Sequence, residues 1–378
     1  MANSTYQISS TPKLYISFPL QLYSRGNIFT QIVNENLVDS EGNLVIDLTT
    51  EYRKLLQLNP ADWVHLDLDL YTDHYKSICF TSAVLKDLNT DWWNFDFFGT
   101  LGHDFNRYQM ITELYSSDHI NPNQTFSTPL ETENIINHNP NDVPDYDGFS
   151  LMKILNYPSD PTETKLNVVF KKKLDDDGNP INMSDPSLGS YFFGKSYEFP
   201  QNAELSTEVK FDYGVKQKQT LAGKTLSYSN WNQPNTWGKF RAEPFSLHNF
   251  EEVPDNNNVT KELGRTGRRT WTMEFSSLAS DKVMPQNMML NDNNYTLQDN
   301  HEQGAETGSS KYNIMSSPDF FSRVVSPLSG SHLPCVLQID KNDNSPSGFA
   351  IVRMNKDYQI TQKSSNLYHI KCSFTEQI

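Results

Sequence analysis

The chain is poor in cysteine, in positive charge and in long apolar runs, and each shortage removes a class of protein. Cys79, Cys335 and Cys372 are the only cysteines among 378 residues. They are too few and too scattered for a disulfide framework or a zinc site, and fit synthesis in a reducing compartment. No run approaches the ~20 apolar residues of a membrane span, and Met1–Ser10 carries no apolar signal core. Thirty-one Lys and Arg stand against 46 Asp and Glu, for a net charge of −15. A broad phosphate-binding surface needs the opposite balance. Enzyme signatures are scarce as well: there is no G-x-S-x-G, H-E-x-x-H, P-loop or Rossmann glycine pattern. The histidines are dispersed, and His65 reads as a surface residue on the polar side of a strand.

What is abundant is aromatic and amide. Phe 22, Tyr 18 and Trp 6 supply enough apolar bulk to fill a core despite the polar average. Asn makes up about a tenth of the chain, well above ordinary usage.

Period-two alternation dominates the ordered stretches. Val64, Leu66, Leu68 and Leu70 alternate with His65, Asp67 and Asp69, the mark of a half-buried strand. Leu14, Ile16 and Phe18 alternate in the same way, as do Trp271, Met273 and Phe275. Further strands are expected at 44–48, 166–170, 208–213, 225–229, 336–339, 349–354 and 367–374. Helical patterns are few. Residues 51–58 form one. Residues 318–328 form the other, with Ser317 as cap, Pro318 in the first turn and Phe320, Phe321, Val324 and Val325 as one stripe for packing on a sheet. The pattern is that of a mainly β, antiparallel protein: a sandwich with one flanking helix over 161–378, and a β-rich region over 1–160. Two long polar loops, 119–147 and 287–311, interrupt it.

Two acidic runs resemble calcium loops. Asp175–Asn179 contains Asp-Gly, which is more simply a turn. Asp340, Asn342 and Asn344 have the spacing of an EF-hand start, but Ser345 stands where the loop needs Gly and Ile351 where it needs Glu. No metal and no cofactor is expected. Arg265, Arg268 and Arg269 form a basic patch beside Trp271, suited to pairing with nearby carboxylates or to a subunit interface, where Arg bonds carboxylates bidentately. Trp92, Trp93, Phe95, Phe97 and Phe98 read as core filling. Trp231 and Trp237 flank an Asn/Gln/Pro loop and offer aromatic faces and amides to a glycan.

Four segments carry a family resemblance: 211–238 (FDYGVKQKQTLAGKTLSYSNWNQPNTWG), 267–285 (GRRTWTMEFSSLASDKVMP), 319–325 (DFFSRVV) and 328–354 (LSGSHLPCVLQIDKNDNSPSGFAIVRM), together with PKLYISFPL at 12–20. Their order resembles virion proteins of marine tailed bacteriophages and, more loosely, minor-tail and distal-tail proteins. Cys335 stands where relatives often carry Phe. The resemblance implies a non-enzymatic structural protein of the distal tail, tail tip or baseplate ring, located in the virion after assembly in the host cytoplasm. It implies self-association into a ring and contact with other tail proteins, without specific nucleic-acid binding or membrane insertion. A host-glycan-binding tail protein is the main alternative. A glycan-cleaving tail enzyme, which needs paired carboxylates about 5–10 Å apart, is the other.

Overall fold

The computed structural model describes residues 9–24, 36–38, 44–46, 52–60, 62–66, 75–81, 95–115, 129–139, 142–145, 147–157, 165–182, 184, 186–204, 208–212, 214–229, 268–285, 317–345 and 348–377. Within them the chain is mainly β, with antiparallel pairing throughout and few helical turns.

The largest sheet has eight strands. Its path runs Ser196–Glu198, Lys13–Tyr15, Pro334–Gln338, Phe349–Met354, Leu367–Glu376, Arg268–Ala279, Glu208–Asp212, with Gln359–Ser364 also pairing Leu367–Glu376. A five-stranded sheet runs Leu44–Ile46, Asn36–Val38, Tyr75–Thr81, Lys165–Lys172, Met110–Tyr115. A four-stranded sheet runs Ser190–Gly194, Phe97–His103, Gly148–Ile154, Thr132–Ile136.

The four-stranded sheet stands between two apolar cores, and side-chain alternation sends neighbouring residues to opposite ones. Phe97, Leu101, Phe149, Leu151 and Phe192 join the core built on the large sheet with Trp271, Met273 and Phe349. Phe98, Met152, Tyr191 and Phe193 join the other, with Leu114, Val168 and Phe170 of the five-stranded sheet. Each such side chain contributes about 1.5–3 kcal/mol by leaving water, so a strand buried on both faces gains roughly twice what a half-exposed one does. Ring contacts fix the packing further: Tyr15 meets Phe97 edge-on at 5.1 Å, and Phe199 stacks on Phe275 at 4.4 Å.

Pairing crosses residue 160 in three sheets. Lys13–Tyr15 lies between Pro334–Gln338 and Ser196–Glu198, Lys165–Lys172 pairs Tyr75–Thr81, and Ser190–Gly194 pairs Phe97–His103. The division expected at 160–161 is therefore not a boundary between sheets.

Several local expectations are corrected. Phe18 is not a strand residue: Ser17 Oγ accepts the Leu20 amide at 3.2 Å and opens a helix over Phe18–Ser24. Residues 51–58 give a 3-10 helix over Tyr52–Leu56, and the strand at 64–70 is described only at Val64–His65. The polar loop at 119–147 contains the strand Thr132–Ile136. The element at 318–328 is a π-helical turn over Phe321–Val325. Its cap is Asp319, not Ser317: the Asp319 carboxylate accepts the Ser322 amide at 2.9 Å and the Ser322 hydroxyl at 2.8 Å. Phe320, Val324 and Val325 are buried in the large-sheet core, with Phe321 packed at its margin.

Close backbone approach imposes one glycine in particular. Gly102 has φ +61, and a Cβ there would sit 2.1 Å from the Pro60 carbonyl oxygen. Substitution must both strain the backbone and displace Pro60. Gly102→Ala is expected to lower unfolding stability by at least about 2 kcal/mol in urea melts. Gly178→Ala, at φ +82 with open space around it, should cost about 1 kcal/mol by the same measurement.

Candidate functional site

The arginine patch resolves into an internal ion pair. Arg269 Nη2 lies 2.7 Å from Glu376 Oε1, its Nε donates to the same carboxylate, and its backbone amide donates to Oε2 at 3.0 Å. Glu376 is fully buried, and the guanidinium covers the Trp271 ring at 4.9 Å. Trp271 itself is 1% exposed and belongs to the core. The strand that carries them is not an edge, because Glu208–Asp212 flanks it on one side and Leu367–Glu376 on the other. Of the two roles expected for the patch, the structure shows the pairing with a carboxylate at Arg269. Arg268 is half-buried, and its Nε is enclosed with no hydrogen-bond partner. Arg265, Trp231, Trp237 and the loop 287–311 lie outside the described residues.

The acidic runs are structural turns. Asp175 Oδ1 accepts the amides of Asp177 at 3.0 Å and Asn179 at 2.8 Å. Asp340 accepts the Ser9 amide and hydroxyl at 2.7 Å, the Ser10 hydroxyl, and the Asn342 amide at 2.9 Å. Burial alone would raise the Asp340 carboxyl, but these hydrogen bonds outweigh it and hold it down at about 2. The residue ties the amino-terminal segment to the far end of the chain.

Three titratable groups, His103, His138 and Asp104, are shifted toward their neutral forms by burial. His103 is enclosed, with Nε2 2.9 Å from Ser150 Oγ, and Ser150 is also bonded by Asn137 Nδ2 at 3.3 Å. Burial, with His138 nearby, pushes His103 down to about 3; burial alone takes His138 to about 4. Asp104 accepts the Ser187 amide at 2.6 Å, yet burial, helped by Asp147, raises it to about 7. Ser187 Oγ also meets His65 Nδ1 at 3.0 Å, beside Trp63. A nucleophile–base relay would place a carboxylate on that histidine, whereas Asp104 is bonded to the serine's own amide. His65, read as a plain surface residue, is exposed but has this one polar contact, which nothing in its strand pattern reveals.

Two surface features stand out. The first is a cleft of about 410 Å³ where the edge strands Met110–Tyr115 and Thr132–Ile136 approach each other. The Leu130 amide bonds the Leu114 carbonyl at 2.8 Å, and the Leu155 amide bonds the Glu131 carbonyl at 2.9 Å. Leu114, Leu130, Met152 and Leu155 give its walls their apolar character; Glu131 and His138 add polar groups. Glu131 accepts an amide hydrogen bond from Asn156 and has no cation against it among the described residues.

The second is a ribbon. Among the described residues Val215–Gln219 pairs only with Thr225–Ser229, outside the three main sheets. All of Val215–Gln219 and all of Leu221–Tyr228 are exposed. The register places Lys216, Lys218, Leu226 and Tyr228 on one face and Val215, Gln217, Ser227 and Thr225 on the other. At the tip the Gly223 amide bonds the Thr220 carbonyl at 2.9 Å, the Thr220 amide bonds the Lys224 carbonyl at 2.8 Å, and Gly223 takes φ +79. This is a three-residue hairpin loop with glycine in the left-handed position, and it presents Leu221 entirely to the outside. Of the two strands only Thr225–Ser229 is expected from the sequence; Val215–Gln219 is not, and neither is their separation from the described sheets.

Comparison of the chain with family models, with curated proteins and with solved structures finds no match.

Two outcomes follow for stability. The raised Asp104 carboxyl holds a proton in the folded state that the unfolded chain releases above its ordinary pKa. Its contribution is therefore fully present below about pH 4 and lost as pH rises through about 7. Asp104→Asn keeps the acceptor for the Ser187 amide, so thermal melts should show a larger gain over wild type at pH 8 than at pH 5. The depressed histidines act on the acid side. Their stabilisation is complete above the ordinary histidine pKa of 6.5 and is lost as pH falls toward 3–4. Separately, Glu376→Ala strands the Arg269 guanidinium and empties a buried site; urea unfolding should show a loss of about 3 kcal/mol.

Proposed function

We propose that this chain is a non-enzymatic structural component of a tailed-phage virion, at the distal tail, tail tip or baseplate ring. There it assembles with copies of itself and with other tail proteins. The observation that carries this reading is the exposed ribbon at 215–229. Among the described residues it has no third strand and no covering layer; such a hairpin is marginal in water, so a sequence that maintains one gains from a partner that completes it. Assembly from identical subunits supplies such a partner at every position.

The rest of the molecule suits the same role. Its histidines at 103 and 138 are buried and neutral, and its acidic turns spend their carboxylates on backbone amides. The motif order at 211–238, 267–285, 319–325 and 328–354 supports the virion assignment in particular.

Antibody labelling of purified particles, read by electron microscopy with mass spectrometry of the same preparation, tests it. The label is expected at the tail end. Its absence from the particle, or its presence on the head, would overturn the proposal.

A further inference from the structure

We infer that the ribbon of one copy seats its tip in the Glu131 cleft of a second copy. The inference rests on the self-assembly reading above and names the two surfaces that meet.

Charge selects the occupant. Residues 214–229 contain Lys216, Lys218 and Lys224 and no acidic residue, in a chain whose net charge is −15. Those lysines have no carboxylate partner among the described residues. The ribbon is thus a basic element on an acidic molecule, and a second copy of the same chain offers it a surface of opposite charge.

Shape and polarity select the place. Leu221, at the head of the tip loop, is fully exposed, and Lys218 and Leu226 sit opposite each other just behind it. The cleft offers the converse: an opening of about 410 Å³ with apolar walls at Leu114, Leu130 and Met152, and Glu131 free of any cation among the described residues. Its volume lies within the ~300–1,000 Å³ of ordinary binding pockets. Leu221 supplies the apolar anchor, and Lys224 or Lys218 reaches Glu131. The tip is pre-ordered by its own hydrogen bonds, so little conformational freedom is lost on docking.

Arm and cleft are different surfaces, so the contact is heterologous. Each copy gives its arm to one neighbour and receives an arm from another, which generates a closed ring when the rotation closes and a filament when it does not.

Sedimentation velocity of the full chain over a range of concentrations tests the inference. Wild type is expected to self-associate, more weakly at high salt. Leu221→Asp should weaken association by about tenfold or more, with an unchanged melting temperature because the side chain is fully exposed. Lys224→Glu and Glu131→Lys should each weaken it, and the two combined in one chain should restore it. Association that survives Leu221→Asp, a charge swap that fails to restore it, or a wild type that stays monomeric throughout would overturn the inference. So would fluorescence anisotropy showing duplex DNA bound by wild type and released by Lys216→Glu, which would assign the ribbon to nucleic acid. The two proposals fail separately: a tail-located chain indifferent to Leu221→Asp removes only the arm. An arm-dependent oligomer absent from the particle removes only the virion role.

Discussion

The described part of this molecule is arranged around three strands that are covered on both faces. The strands Phe97–His103, Gly148–Ile154 and Ser190–Gly194 are buried almost without interruption, and their alternating side chains feed two separate cores. A sheet in that position requires a covering layer on each face, and the chain supplies them from both of its ends. Its backbone must also approach its neighbours closely. Gly99, whose Cβ would lie 2.6 Å from the ring of Phe192 opposite it in the same sheet, and Gly189, whose Cβ would lie 2.4 Å from the Pro60 carbonyl oxygen, are placed where an added side chain would displace a neighbour.

The same enclosure explains the unusual state of the polar groups. A histidine or aspartate between two apolar layers loses its hydration and can keep a charge only if a partner replaces the water. His103 finds a hydroxyl and Asp104 an amide, which satisfy hydrogen bonding without balancing a charge. Glu376 differs because Arg269 brings both donors and a full positive charge to it. Cys335 illustrates the limit: enclosed among apolar side chains, its thiol is pushed up to about 12 and stays chemically inert.

This enclosure also decided what could be read from the sequence. Arg268–Ala279 and Leu367–Glu376 present their residues to a core on one side and to a more open layer on the other, so the alternation at Trp271, Met273 and Phe275 announced a strand. FFGTLGH and GFSLMKI have no such alternation, because both of their faces are apolar, and they passed unrecognised as strands. Asp319 was invisible as a cap because Ser317 and Pro318 matched the usual helix-start pattern two residues earlier. The arginine patch was legible as a place for ion pairing, but its partner is 107 positions away, beyond any local spacing rule. The cleft was not legible at all, since it arises where the edges of two sheets meet.

The position of Lys13–Tyr15 has a consequence for how the protein is made. Both neighbours of this strand are made after it, and Asp340, which holds the adjoining Ser9, lies 331 positions downstream. At ordinary synthesis rates of ~5–20 residues per second, the amino-terminal segment waits roughly 15–65 s for that partner. Ser196–Glu198 can pair one edge earlier, but the other edge stays open and the large sheet cannot close until Pro334–Gln338 has been made. Until Pro334–Gln338 and Asp340 have been made, this part of the newborn chain depends on being shielded.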